Sequence, residues 1–160
     1  MWITRKGYMA LLQEFIDVKE TIKEKLKELG DQAERDSDLP ENPIWKQLQV
    51  EIRVNLPRKM ADIQKLISDA QIIEDMLLPL LKNDGKAHIG SRVRIKFNNE
   101  DKEYEFVIVG PYDLKVIENS ISYLSPLGRA ILNAEEREEK TFVAPSGERI
   151  FTIISIQKGL

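Results

Sequence analysis

The chain has 160 residues, enough for one ordinary domain or two small ones, with 42% hydrophobic and 32% charged residues. It has no cysteine, which excludes a disulfide framework and a thiolate metal site, and its single histidine, His88, argues against zinc held by imidazoles. No apolar run approaches the ~20 residues of a membrane span and no signal pattern opens the chain, so the expectation is a cytoplasmic protein with no membrane contact.

The net charge of −3 is unevenly spread: residues 1–80 hold 12 basic and 15 acidic side chains, residues 81–160 hold 12 of each. Neither half is basic. Strong binding to nucleic acid by counterion release is therefore not expected, and contact with DNA or RNA would need a third partner to arrange it.

Thr4 precedes the first periodic segment and is placed as an N-cap. Apolar residues then recur at Tyr8, Leu11, Phe15, Val18, Ile22, Leu26 and Leu29, the seam of an amphipathic or coiled-coil helix over about residues 5–35. Charges flank the seam (Lys19, Glu20, Lys23, Glu24, Lys27, Glu28). Such a helix would be roughly 45 Å long, and Gly30 within it should cost about 1 kcal/mol against alanine.

The stretch Asp36-Ser37-Asp38-Leu39-Pro40-Glu41-Asn42-Pro43 holds three carboxylates and two prolines between two helical runs. The backbone must reverse there, which predicts two antiparallel helices meeting at an acidic tip. The second run is Trp45, Leu48, Ile52, Leu56, Met60, Ile63, Leu66, Ile67 and Ala70. It can pair with the first, since neither helix has enough apolar surface to be stable alone. Pro57 interrupts it and should kink or bulge the helix, because it removes the bond to the carbonyl of Arg53.

Pro79 and Asn83-Asp84-Gly85 end the helical half, and residues 77–90 read as a linker. The pattern then changes to period two. Val93, Ile95 and Phe97 alternate with Arg92, Arg94 and Lys96; after a turn at 98–101 come Tyr104, Phe106 and Ile108, closed by Gly110-Pro111. A short strand at Ile121–Leu124 leads to Ser125-Pro126, a cap and a first-turn proline, which start a helix of about two turns. Strands at Thr141–Ala144 and Arg149–Ile156 flank the turn 145–148. The predicted class is α+β: an N-terminal antiparallel coiled coil (1–76, tip at 36–43), a linker, and a largely antiparallel sheet domain with one short helix (91–160).

Several segments, in this order and spacing, resemble the bacterial Gre transcript-cleavage factors. Thr4-Arg5-Lys6-Gly7-Tyr8 with Leu11 looks like the family's opening, and Asp38-Leu39-Pro40-Glu41-Asn42 like its acidic tip. Ser68-Asp69-Ala70-Gln71-Ile72-Ile73 resembles the end of its second helix, and Gly90-Ser91-Arg92-Val93 the entry to its C-terminal domain. Ile121-Ser122 followed by Ser125-Pro126-Leu127-Gly128-Arg129-Ala130 is similar to that domain's most recognisable motif.

The resemblance implies a coiled coil followed by an FKBP-like domain that docks on RNA polymerase, at the largest-subunit region beside the secondary channel. It implies that the chain acts as a monomer and that its tip reaches the polymerase active centre, next to the 3′ end of the nascent RNA. There Asp38 and Glu41 would help hold the polymerase's second Mg2+ and orient a water, so that a backtracked transcript is hydrolysed. The chain would have no cofactor of its own and no catalysis alone. Two-metal hydrolysis needs oxygen ligands of this kind.

Asp38 and Glu41 are three apart, which puts both on one face at a helix start, yet the same spacing is a capping box with Asp38 as N-cap. Both readings stand on the residues alone. Glu34 and Asp36 read as solvated charge that could help attract a cation. Trp45 matches the family's tip aromatic near the nucleic acid, or packs the end of the coiled coil. Lys46, Arg53, Arg58 and Lys59 could face the transcript, although such charges are usually a solvated helix face. Arg92, Arg94 and Lys96 read first as the outer face of a strand. Leu124, Ser125 and Pro126 correspond to the family's docking loop, and Ser125-Pro126 is equally a helix start. His88 suggests only exposure.

Departures from the family pattern are Ser37 for a glycine, Pro43 for an alanine, Gln49 where a basic residue is common, and Leu124 where the residue is often acidic or polar. One extra residue also falls between Glu41 and Ala70, near Pro57. Pro43 predicts a helix beginning at Asn42. Two rival readings follow: a polymerase-binding regulator that occupies the channel without promoting cleavage, and an FKBP-like prolyl isomerase or chaperone. The second is disfavoured by an expected lack of clustered aromatics to line a pocket.

Overall fold

The computed structural model describes residues 1–33, 42–75 and 84–160. They form two compact units: Met9–Asp69, and Met1–Tyr8 together with Ala70–Leu160. This division differs from the expected boundaries at 76/77 and 90/91, for a reason sequence periodicity does not carry. Strand β1 (Trp2–Ile3) pairs in parallel with β2 (Gln71–Ile72), and the Gln71 amide donates to the Met1 carbonyl at 2.8 Å. The first residues of the chain are thus part of the sheet-bearing unit. So is the end of the expected linker: Ala87 is fully buried and exchanges backbone hydrogen bonds with Asn133 and Ala134 at 2.8 and 2.9 Å.

Helix α1 spans Arg5–Ala33 without a break, its first turn counted with the sheet-bearing unit and the rest with the helical one. Thr4 caps it as expected, its Oγ1 accepting from the Gly7 amide at 2.9 Å. The second run comprises α2 (Pro43–Val50), a π-helical turn (Glu51–Asn55) and α3 (Leu56–Ser68). The disturbance expected at Pro57 is therefore a bulge: the Leu56 amide donates to the carbonyl of Glu51, five residues back. A π-turn accommodates one residue more than an α-turn. That is the form an extra residue in this stretch would take.

Lys59 on α3 pairs with Glu14 on α1 at 3.2 Å. From Glu14 to the end of α1 is roughly 28 Å of helix, and from the start of α2 to Lys59 roughly 24 Å. Near-equal lengths on the two sides of that ion pair are what two antiparallel helices require. Leu11, Val18, Ile52, Leu56 and Ile63 are buried. Leu26, expected in the seam, is instead 50% exposed. Two successive steps of four (Val18, Ile22, Leu26) each overrun the helical turn by about 40°, which carries Leu26 off the inner face. Leu66 is likewise exposed.

The sheet has strand order β5-β4-β3-β7-β6. Strand β3 (Ser91–Phe97) lies antiparallel between β4 (Glu103–Val109) and β7 (Gly147–Lys158), and β6 (Glu139–Ala144) is antiparallel to β7. Strand β5 (Ser120–Ser122) is parallel to β4, reached through a 3-10 turn at Tyr112–Lys115. It ends before Leu124, because Leu124 and Ser125 belong to the turn that starts α4 (Pro126–Ile131).

Val93, Ile95, Phe97, Ile108, Ile131, Phe151 and Ile153 form the core with Ala87 and Ala134. The expected lack of clustered aromatics is wrong. Phe97 contacts Tyr104, Phe142 and Phe151 with ring centroids 5.5–6.3 Å apart, and Phe142 meets Phe151 at 5.9 Å. These rings pack against one another as core, with the Arg149 guanidinium over Phe97 at 3.9 Å. No helix among the described residues is long and apolar enough to cross a membrane.

Candidate functional site

Two regions carry the residues singled out from the sequence. The first is the helical hairpin. Asp38 and Glu41, with Glu34 and Asp36, lie outside the described residues. What flanks them is defined. Asn42 caps α2, its side-chain oxygen accepting from the Ile44 amide at 2.9 Å, and Pro43 fills the first helical position. Asp38-x-x-Glu41 is therefore not the capping box of this helix, and Pro43 has the effect expected of it.

Past the cap, Trp45 is half-buried, and Lys46, Arg53 and Arg58 are exposed on the second run. Lys59 is engaged by Glu14. Ile44, Val50 and Val54 are exposed apolar side chains on the same run. Among the described residues no group of three His, Asp or Glu side chains could hold a metal ion.

The second region is the loop between β5 and α4. Ser125 caps α4: its Oγ accepts from the Gly128 amide at 3.0 Å and donates to the Ser122 carbonyl at 2.7 Å. Ser122, itself buried, accepts from the Leu124 amide through its own Oγ at 3.1 Å. The Tyr123 amide is tied to the Val109 carbonyl at 3.0 Å. Gly128 has to be glycine, since a Cβ there would overlap the Ser122 carbonyl. The hydroxyls of Ser122 and Ser125 and the amides of Tyr123, Leu124 and Ser125 are thus bonded within the fold. What it offers outward is apolar, Leu124 at 47% exposed with Pro126 beside it.

Arg92 and Arg94 lie on the outer face of β3, as read. They pair with Glu103 and Glu105 across the strand at 3.0–3.8 Å, and Lys96 pairs with Asp101 at 3.7 Å. Their charge is balanced in place, so this face is not a free basic patch. His88 is not merely exposed: its Nε2 lies 3.0 Å from an Asp84 carboxylate oxygen.

One residue that sequence reasoning missed is Asp113, which is fully buried. Its carboxylate accepts from the Thr4 amide at 3.0 Å, the Thr4 hydroxyl at 2.7 Å and the Gly110 amide at 3.1 Å. Burial pushes its carboxyl above the usual carboxylate value, and the bonds from Thr4 and Gly110 oppose that shift. Its partner Thr4 is 109 positions away, so no local pattern marks it.

Comparison with known proteins bears on both regions. Residues 82–158 match the family model described as "Transcription elongation factor, GreA/GreB, C-term". The chain is 30% identical over 155 residues to "Transcription elongation factor GreA" of Clostridium acetobutylicum, covering 97% of this chain and 95% of that one. It is 29% identical over 159 residues to the protein of the same name from Roseiflexus sp., covering 98% and 96%. A solved structure of "GreA factor homolog 1 (Gfh1)" from Thermus thermophilus aligns over 98% of each chain at 22% identity with a TM-score of 0.41.

Proposed function

The chain belongs to the GreA/GreB family of transcription elongation factors, and we propose that it acts by binding RNA polymerase at the secondary channel and stimulating hydrolysis of backtracked transcripts. The observation that carries this reading is the pairing of α1 with the helical run after Asn42, through Glu14 and Lys59. The eight residues that join the two helices include Glu34, Asp36, Asp38 and Glu41. Four carboxylates concentrated in one connection would repel one another, which favours a partner cation.

Carboxylate oxygens suit magnesium, which prefers oxygen ligands and keeps several of its waters. When held there, the ion supplies charge neutralisation at the leaving oxygen and acidification of a water. Asp38 and Glu41 would add ligands to an ion the polymerase holds only weakly and would orient the attacking water. Lys46 and Arg53, exposed on the second run, are suited to the phosphates of the RNA 3′ end, with Trp45 alongside. Leu124, Ser125 and Pro126 form the docking loop, which would meet an apolar recess since Leu124 and Pro126 are exposed and the hydroxyls of Ser122 and Ser125 are already bonded. Catalysis belongs to the polymerase, and the isolated chain is not a nuclease.

A backtracked elongation complex with magnesium tests this directly. The chain should shorten the transcript from its 3′ end, and Asp38→Asn or Glu41→Gln should lower the rate at least tenfold without weakening binding. One observation favours a second reading, channel occupation without cleavage. Because the helix cap is Asn42, Glu41 precedes α2 and has no place in its first turn. Slowed nucleotide addition with no shortened product would establish that alternative.

A further inference from the structure

We propose that Asp113 is a positioning residue, whose buried carboxylate pins the first turn of α1 to the segment leading into the docking loop. The turn that carries Asp113 does not need its side chain. Backbone bonds from Asp113 to Gly110 and from Val116 and Ile117 to Asp113, at 2.9–3.2 Å, already close it. A carboxylate serving only that turn could remain in water. This one is fully buried, and two of its three donor groups come from Thr4.

Thr4 makes the cap and the anchor one group. Its hydroxyl has a single proton, which goes to Asp113, while the same oxygen accepts from the Gly7 amide at 2.9 Å. Gly7 lies so close that a Cβ would overlap Asp113 Oδ1. The Arg5 amide is taken by the Glu74 carboxylate at 2.9 Å. The amides of Thr4, Arg5 and Gly7, which a helix start leaves without helical partners, are therefore all fixed by side chains. Downstream of Asp113, the Ser120 hydroxyl donates to Ile117 at 2.6 Å and the Val107 amide to Asn119 at 2.9 Å. These bonds lead without a gap into β5 and the Ser122–Ser125 loop.

The consequence lies in leverage. Helix α1 runs unbroken for 29 residues, roughly 43 Å, so a tilt of about 5° at its first turn moves its last turn by about 4 Å. Displacing a catalytic group by about 1 Å can cost on the order of 100-fold in rate. Loosening Asp113 should therefore reduce cleavage while leaving the docking loop intact.

The test uses the full chain, with Asp113→Ala, Gly7→Ala and Thr4→Ser. Gly7→Ala is informative because it improves helix propensity while expelling the carboxylate. The anchor is read on the free protein by amide exchange. In Asp113→Ala and Gly7→Ala the amides of Thr4–Tyr8 should exchange at least tenfold faster, with those of β3, β4 and β7 unchanged. Thr4→Ser, which keeps the hydroxyl, should match the wild type. Uniformly faster exchange, or none, overturns the anchor.

The cleavage arm rests on the proposed function. There the maximal rate should fall tenfold or more, with the half-saturating concentration within threefold of wild type. Rate and half-saturation moving together would reduce Asp113 to a fold-stabilising role. If the wild type does not cleave, the proposed function fails, and exchange alone still decides whether Asp113 holds the helix.

Discussion

The two units bury their apolar residues to very different degrees. In the sheet unit, Val93, Ile95, Ile108, Ile131, Phe151 and Ile153 are fully buried in one cluster, sealed by aromatic rings and the Arg149–Glu100 ion pair. In the helical unit Leu11, Val18, Ile52, Leu56 and Ile63 are buried, while Met9, Ile16, Leu26, Ile44, Val50, Val54 and Leu66 stand exposed. In the sheet unit, the inner face of the sheet packs against α4 and the buried Ala87 and Ala134. Two helices side by side can only cover one stripe of each other. Stability is therefore concentrated in the sheet unit.

The sharpest way to break this comparison is to remove one large apolar side chain from each unit. Phe151→Ala should cost about 3–5 kcal/mol, since it empties the centre of the core. Leu26→Ala should stay within about 0.5 kcal/mol, as its side chain is half in water already. Urea unfolding followed by circular dichroism measures both. A large loss at Leu26 would mean that the helical unit buries that face in solution.

A smaller effect is expected from deleting Val54, an exposed residue inside the π-turn. The deletion should turn the π-turn into an α-turn and leave both α2 and α3 in phase with α1. Helical content should be retained and stability should change by only about 1 kcal/mol. Deleting Arg58 instead, inside α3, rotates what precedes it by about 100° and should expose Ile52 and Leu56. If the two deletions unfold alike, the extra residue is not confined to the bulge.

The bulge also shows what was legible in advance. Proline has a local, steric effect, so Pro57 marked the disturbance, Pro43 the start of α2, and Ser125-Pro126 the start of α4. Period-two alternation likewise placed β3 and β4. Features that depend on distant partners were not legible. Two-residue strands such as β1 and β2 have no period to read, and their pairing is what moves the chain's first residues into the sheet unit. Parallel β5 depends on the course of the turn before it. Asp113 sits in a Gly-Pro turn where aspartate is ordinary, and only the fold brings Thr4 to it. Leu26 failed for a different reason, because steps of three and four look alike until their phases are added.

The smallest effect should come from Asp84, whose contrast with Asp113 repeats the comparison within one unit. Both carboxylates accept a side-chain and a backbone hydrogen bond. Asp113 is buried, and the loss of water outweighs its bonds and raises its pKa. Asp84 is exposed, and the bond to His88, then that from the Lys86 amide, lower its pKa below the ordinary 3.8. The sign follows from linkage: the folded state favours ionised Asp84, so the contribution is complete above 3.8 and disappears as pH falls through the depressed value. Carboxyl chemical shifts followed by NMR should give Asp84 a midpoint below 3.8 and Asp113 one above it. In Asp84→Asn the acid limb of the stability curve should lose a small part of its slope. A midpoint for Asp84 at or above the ordinary value would show that water competes successfully for the pair, as it commonly does for exposed charges.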